Sequence, residues 1–382
     1  MTTPSAPPYG QGTLADLTPS LLSAAGVEGE PNALGLDPCR GFCLLLVDGL
    51  GWEQVVANAD AAPFLAGHAG RGRSISTGFP STTSASLASL GTGLPPGQHG
   101  LVGYTMAIPG LDRPMNTLLW ELYGIGPHVP LDTTVIPEDL QPAPTVFERA
   151  QADGMDVSVV GPPAHEGSPL SRAIFRGGTF RGAYFLDDVR TVIAEALDQA
   201  RPAVYAYHPD LDVLGHVNGP GSEQWVEHLR TLDGLAADLA EALPEGCRLV
   251  VTGDHGMVLL KEKIDVADHP ELGTRVRMVA GDARARQLSV EDGAVAEVLA
   301  TWAEVLGDRA WVLPGEEAIE RGWFGPTVSD RARERIGDVI AVAREPVGVF
   351  QREVDPLYAS LVGHHGSLTP AERLVPLIDV GR

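Results

Sequence analysis

Short, unbroken apolar runs alternate along the chain with stretches in which apolar residues recur every three or four positions. The runs Phe42–Val47, Asp156–Val160, Ala203–Tyr207 and Arg248–Thr252 each end at a Gly, Pro or Asp turn. That pattern predicts strands covered on both faces, as in a parallel sheet. Pro144–Ala152, Asp187–Ala200 and Ser222–Leu243 have helical spacing, clearest in the last, with Trp225, Leu229, Leu232, Leu235, Leu239 and Leu243. Leu14, Leu17, Leu21 and Leu22 predict a further helix over Thr13–Ala25, after a Pro-, Ser- and Gly-rich leader at 1–12. Alternation of strand and helix predicts an α/β fold: a mostly parallel central sheet with helices on both faces.

From about Arg275 the texture changes. Arg275–Val279, Arg286–Ser289, Arg309–Leu313, Gly337–Ala343 and Val347–Gln351 read as strands, and Gly293–Leu306 and Glu316–Gly322 as helices. So many elements exceed a loop of about 4–6 residues. They predict a small α+β cap at 273–356 inserted into a core of 1–272 and 357–382, with Leu374–Val380 as a last strand of the main sheet.

The charge balance narrows the partners. Fifty acidic against 27 basic residues give a net charge of −23, which disfavours a nucleic-acid polymer or an anionic membrane. A small phosphorylated substrate stays compatible, because a local metal cluster can meet its charge. Cys39, Cys43 and Cys247 are too few and too scattered for a disulfide framework or a cysteine zinc site. The start MTTPSAPPYGQG lacks the marks of a secretory signal, and the six-residue run Phe42–Val47 is far short of a membrane helix. The expectation is a soluble, cytoplasmic protein.

Five segments carry metal-capable or nucleophilic residues where strands or helices end, the usual place for ligands in open α/β sheets. Asp48-Gly49 after the first strand is by itself an ordinary turn. Ser81-Thr82-Thr83-Ser84 opens a small-residue helix: an N-cap on the plain reading, a hydroxyl nucleophile facing a phosphate on the sharper one. Asp212 and His216 stand one helical turn apart and can face one ion, though a solvated loop would also carry them. Asp254-His255 follows the apolar strand Arg248–Thr252, and Gly363-His364-His365-Gly366 comes late in the chain. Jointly, three carboxylates and three imidazoles suit two zinc-like ions at about four ligands each.

The order Asp-Gly, Thr with Thr-Gly-Leu nine residues on, Asp-x-x-x-His, Asp-His-Gly and His-Gly resembles the alkaline phosphatase superfamily. Phe79-Pro80, Pro209-Asp210 through Gly219-Pro220 and Gly253-Asp254-His255-Gly256-Met257 look most like its nucleotide pyrophosphatase/phosphodiesterase branch. The resemblance implies Thr83, nine residues before Thr92, as nucleophile and metal ligand. It implies one ion on Asp212, His216 and His365, and a second on Asp48, Thr83, Asp254 and His255. Both would be divalent, zinc or alternatively manganese. The branch has an Asn for the phosphoryl group a few residues after a His-Gly; here Tyr104 stands there, with Asn116 as the substitute.

The implied activity is hydrolysis of a phosphoric ester through a phospho-threonine, on a nucleotide-type phosphodiester or pyrophosphate. No Arg or Lys lies in the five motifs to meet the extra charge of a monoester. Phosphomonoesterase, phosphonate hydrolase, phosphomutase and a non-catalytic metal-binding protein are the competing readings.

Overall fold

The computed structural model describes residues 4–69 and 73–382. Its main sheet contains β1 (Gly41–Val47), β2 (Arg73–Ser76), β3 (Asp156–Gly161), β4 (Thr179–Gly182), β5 (Pro202–His208) and β6 (Cys247–Thr252). Four strands of another sheet follow, β7 (Val276–Asp282), β8 (Ala285–Val290), β9 (Ala310–Pro314) and β10 (Val339–Ala343), before β11 (Leu374–Gly381) returns to the first. The seven-stranded order is β2-β11-β6-β1-β5-β3-β4. β1, β3, β4, β5 and β6 run parallel, and β11 is antiparallel to both its neighbours.

β1 is central, and every residue of it is buried. Its alternate side chains serve two cores, as a strand's two-residue period requires. Leu44 and Leu46 join the core that holds α1 (Leu14–Ala24), α2 (Thr83–Thr92) and α3 (Val146–Ala152). Cys43, Leu45 and Val47 join the other, beneath α4 (Leu186–Leu197) and, after the short α5 (Asp210–Asn218), α6 (Glu223–Glu241). Truncating one such leucine to alanine costs about 2–5 kcal/mol. Register sets the edge of the sheet: Leu46 is level with both Tyr207 and Thr252. Asp48, the start of α5 and Asp254 therefore emerge side by side.

The strands β7 to β10 form an antiparallel sheet of their own, in the order β7-β8-β10-β9. One face packs on α7 (Val295–Leu306) through Leu288, Val339, Val298 and Trp302. From the other, Ala285, Ile340 and Val342 enter the same core as Leu44 and Leu46. Val347–Phe350 does not extend this sheet but pairs in parallel with Glu262–Asp265. The Pro-, Ser- and Gly-rich leader is tied to the body over the residues described. Tyr9 Oη donates to the Trp323 carbonyl and accepts from Phe79 N, which fastens residues near 9 to the body. Residues 1–3 lie outside the described residues.

Candidate active site

Each acidic or imidazole side chain implied by the sequence reaches one edge of the seven-stranded sheet. Asp48 leaves β1 into a turn whose Gly49 has φ +74°, and a Cβ there would lie 3.0 Å from the Asp212 backbone. Gly49 N donates to Asp254 Oδ1 at 3.0 Å, which locks the turns after β1 and β6 together. Asp212 and His216 sit on one face of α5, their side chains 3.3 Å apart. Thr83 is the first residue of α2, behind the N-cap Thr82. Small side chains let this helix lie fully buried, with its unsatisfied first-turn N–H groups at the site.

The three histidines are held alike. The Nδ1 atoms of His216, His255 and His365 hydrogen-bond the carbonyls of Gly363, Gly256 and Ser81 at 2.7, 3.1 and 2.9 Å. A carbonyl only accepts, so each Nδ1 donates, which leaves Nε2 of each ring, bare in its neutral form, to face the cluster. His255 Nε2 lies 3.4 Å from Asp48 Oδ1, 3.4 Å from Asp254 Oδ2 and 3.2 Å from Thr83 Oγ1. His365 Nε2 lies 4.0 Å from Asp212 Oδ1, and its ring stacks on His255 at 3.5 Å. Two groups each have their ligand atoms within 4.8 Å of one another: Asp48, Asp254 and His255, and Asp212, His255 and His365. His255 thus faces both groups, and His216 joins through Asp212.

This arrangement brings acceptor against acceptor. Asp48 Oδ1, Asp212 Oδ1 and Asp254 Oδ2 are buried with no hydrogen-bond partner. Among the described residues no Lys or Arg pairs with them. Burial, then the charges of Asp254 and Asp212, push the Asp48 carboxyl well above the usual range. Burial likewise raises Asp254, over the opposing pull of His255. Burial also pushes Asp212 upward, but His216, His255 and His365 outweigh it, and the net shift is downward. Burial and His255 together push His365 well below its ordinary value. Buried charges of one sign with unpaired oxygens are costly unless cations fill the space between them. The donor set of carboxylates, Nε2 atoms and a hydroxyl fits divalent zinc-like ions.

Two residues the sequence did not single out belong here. Tyr207 Oη donates to Asp48 Oδ2 at 2.5 Å, and burial raises its own pKa so that it keeps that proton. Asp282, at the end of β7, accepts from Thr82 Oγ1 at 2.8 Å and from Tyr104 N at 3.4 Å, and burial lifts its pKa to about 6. Tyr207 was visible in the strand before Asp212; Asp282 lies in a hairpin with no motif around it. Tyr104 and Asn116 pair with each other, Nδ2 to Oη at 3.0 Å. Asn116 Oδ1 also accepts from Leu118 N and Leu119 N. Neither Tyr104 nor Asn116 lines the cavity that opens on Asp48, Thr83 and Asp212; the two leucines that Asn116 positions do.

That cavity, about 510 Å³, has walls of Leu87, Leu119, Phe175 and Phe180, with His165 and Ser171 as polar points and, among the described residues, no Lys or Arg. The nearby arginines are engaged elsewhere. Arg172 holds Glu138, Arg176 binds the Arg172, Ala173 and Ala143 carbonyls, and Arg181 donates to Ser158.

An α/β sheet with carboxylates and imidazoles gathered at its edge offers a ligand set for divalent ions. The family model of type I phosphodiesterase / nucleotide pyrophosphatase matches residues 42–368. The chain belongs to that family, within the alkaline phosphatase superfamily, and is an enzyme of a group that hydrolyses phosphoesters with divalent metal ions. Murine ectonucleotide pyrophosphatase/phosphodiesterase 5 superposes with a TM-score of 0.66 at 19% identity, over 90% of this chain and 88% of that one. An inactive threonine-to-alanine variant of it in complex with AMP matches equally, at 0.66 and 19%, over 89% and 88%. Phosphonoacetate hydrolase from Sinorhizobium meliloti 1021, in complex with phosphonoacetate, gives 0.65 at 20% identity over 90% of each chain. A sequence comparison with curated proteins found no match. No helix among the described residues is long and apolar enough to cross a membrane.

Proposed function

We propose that this chain hydrolyses phosphodiesters, with Thr83 as nucleophile and two zinc ions held by Asp212, His216 and His365 and by Asp48, Thr83, Asp254 and His255. The observation that carries this reading is the set of buried, unpartnered carboxylate oxygens facing bare Nε2 atoms around one hydroxyl. When bound, the ions supply the positive charge that acidifies the hydroxyl and neutralises the phosphoryl oxygens. Thr83 Oγ1 gives up its proton to solvent and forms the new P–O bond as the P–O bond to the ester group breaks, and the departing oxygen takes a proton from solvent. Water then cleaves the phospho-threonine, which restores the hydroxyl and releases a phosphomonoester. One structural relative is inactive as a threonine-to-alanine variant, which is a reason to look for the reactive hydroxyl on a threonine here.

The diester preference rests on the cavity. A monoester dianion or a carboxylate-bearing phosphonate calls for a further cation, and the walls offer none among the described residues. An uncharged, apolar or aromatic ester group fits them. The 273–356 segment is proposed as a cap that contributes Asp282 beside the helix bearing Thr83. Comparison of kcat/KM for bis-p-nitrophenyl phosphate, p-nitrophenyl phosphate and phosphonoacetate tests the assignment. The diester is expected to lead, chelation to abolish turnover and zinc to restore it. Faster turnover of either other substrate overturns the diester reading, and full activity after complete chelation overturns the metal reading.

A further inference from the structure

Side chains alternate across β5, so Tyr207 reaches Asp48 while His208 points to the opposite face, against α6. There His208 Nε2 meets His228 Nε2 at 3.0 Å, and Asp210 Oδ2 lies 3.7 Å from the same His208 atom. The ligand atoms of His208, Asp210 and His228 all fall within 4.8 Å of one another. Tyr184 Oη donates to Asp210 Oδ1 at 2.8 Å, which turns Oδ2 toward the imidazoles. His208 is 2% exposed, while His228 and Asp210 are half-buried and open a path from solvent.

We infer that His208, Asp210 and His228 form a third metal site, separate from the cluster at Thr83, for a zinc-class divalent ion. Two imidazole nitrogens and one carboxylate oxygen, with a tyrosine orienting the carboxylate, make a three-ligand set that leaves one position for water. Without an ion, two ring nitrogens at hydrogen-bond distance share one proton and the carboxylate oxygen gains nothing; with an ion, all three lone pairs are used. The ion's role is structural. It pins α6 to the turn between β5 and α5, and the His208 carbonyl in that turn accepts from Asp48 N at 3.0 Å. The site is also the weakest of the three. Ligation through Nε2 leaves the proton on His208 Nδ1, which is buried and has no partner. Lack of such an outer hydrogen bond costs about 10–100-fold in metal affinity.

Equilibrium dialysis of the full chain against zinc alone tests this, with wild type and His228→Ala compared. The expected result is one zinc fewer per chain in His228→Ala, lost from the weakest class, with kcat/KM for bis-p-nitrophenyl phosphate unchanged at saturating zinc. Equal zinc content in the two proteins overturns the inference. The difference between them is read, so the number of ions held near Thr83 does not enter. If His228→Ala does not fold, the exposed Tyr184→Phe decides: several-fold weaker binding of the last zinc supports the site, and unchanged binding overturns it.

Discussion

Asp48→Asn separates the stability of the metal-free protein from its activity, because the structure predicts opposite signs for the two. The amide keeps the shape of the carboxylate, and its oxygen can still accept from Tyr207 Oη. What disappears is a negative charge in a buried group whose ligand atoms lie within 4.8 Å of one another. Two full charges 4.8 Å apart repel by about 3 kcal/mol at an effective dielectric of about 20. Proton uptake by Asp48 already relieves part of this, since burial and its acidic neighbours raise its pKa. The new NH2 can also donate to Asp254 Oδ2, which now has no partner. The metal-free variant should therefore be more stable by about 1–2 kcal/mol, a rise of about 1–3 °C in Tm for a chain of this size. In zinc the effect reverses. One ion loses a charged ligand, and several kcal/mol of transition-state stabilisation, at least about 10³-fold in kcat, goes with it. Thermal melts in EDTA, zinc content and bis-p-nitrophenyl phosphate turnover measure the three quantities. A lower Tm in EDTA together with full zinc occupancy would refute the view that Asp48 is an electrostatically strained ligand.

Thr83→Ala should keep most of its zinc yet lose at least about 10³-fold in kcat, with Thr83→Ser recovering part; equal turnover of Thr83→Ala and wild type removes the nucleophile from Thr83. Asp48 and His216 should both make the metal-free protein lose Tm as pH rises through their folded pKa values. Asp48, raised mainly by burial, binds a proton in the folded state that the unfolded chain has already lost. His216 is raised on balance because Asp212 outweighs its burial, so its contribution is complete below about 6.5 and fades through the folded pKa, with the same sign. Saturating zinc should flatten this slope, and melts from about pH 5 to 9 with and without zinc check both. Gly366→Ala places a side chain at φ +128°, with its Cβ 2.7 Å from that of Asp282. The strain costs about 1–3 kcal/mol and displaces His365, so both Tm and zinc content should fall.

How much of this was legible follows from local chemistry. β1, β3, β5, β6 and β11 were expected to within a residue or two, because strands buried on both faces must be continuously apolar. The edge strands β2 and β4 were not, being four residues each, RSIS and TFRG, with β4 half-exposed. The site's carboxylates and imidazoles could be read from their order along the chain. Tyr207 and Asp282 could not be assigned, because hydrogen bonds to Asp48 and Thr82 arise only in three dimensions. The packing of the 273–356 strands was not readable. Four of them form their own sheet, yet Ala285, Ile340 and Val342 complete the main core, a contact that alternation within a strand cannot reveal.

The three imidazoles are aimed by main-chain carbonyls of Gly363, Gly256 and Ser81 rather than by carboxylates. A carbonyl is present whatever residue supplies it, so no side-chain replacement at these anchors deletes the acceptor itself. The orientation of the histidines is written into the path of the backbone and tolerates drift in sequence as long as that path holds. Asp48 has no such insurance, because the tyrosine hydroxyl that steadies it can be lost in one substitution. Variation over generations should thus be free to reshape the cavity's leucine and phenylalanine walls, and with them the choice of substrate, while the geometry of the imidazoles persists.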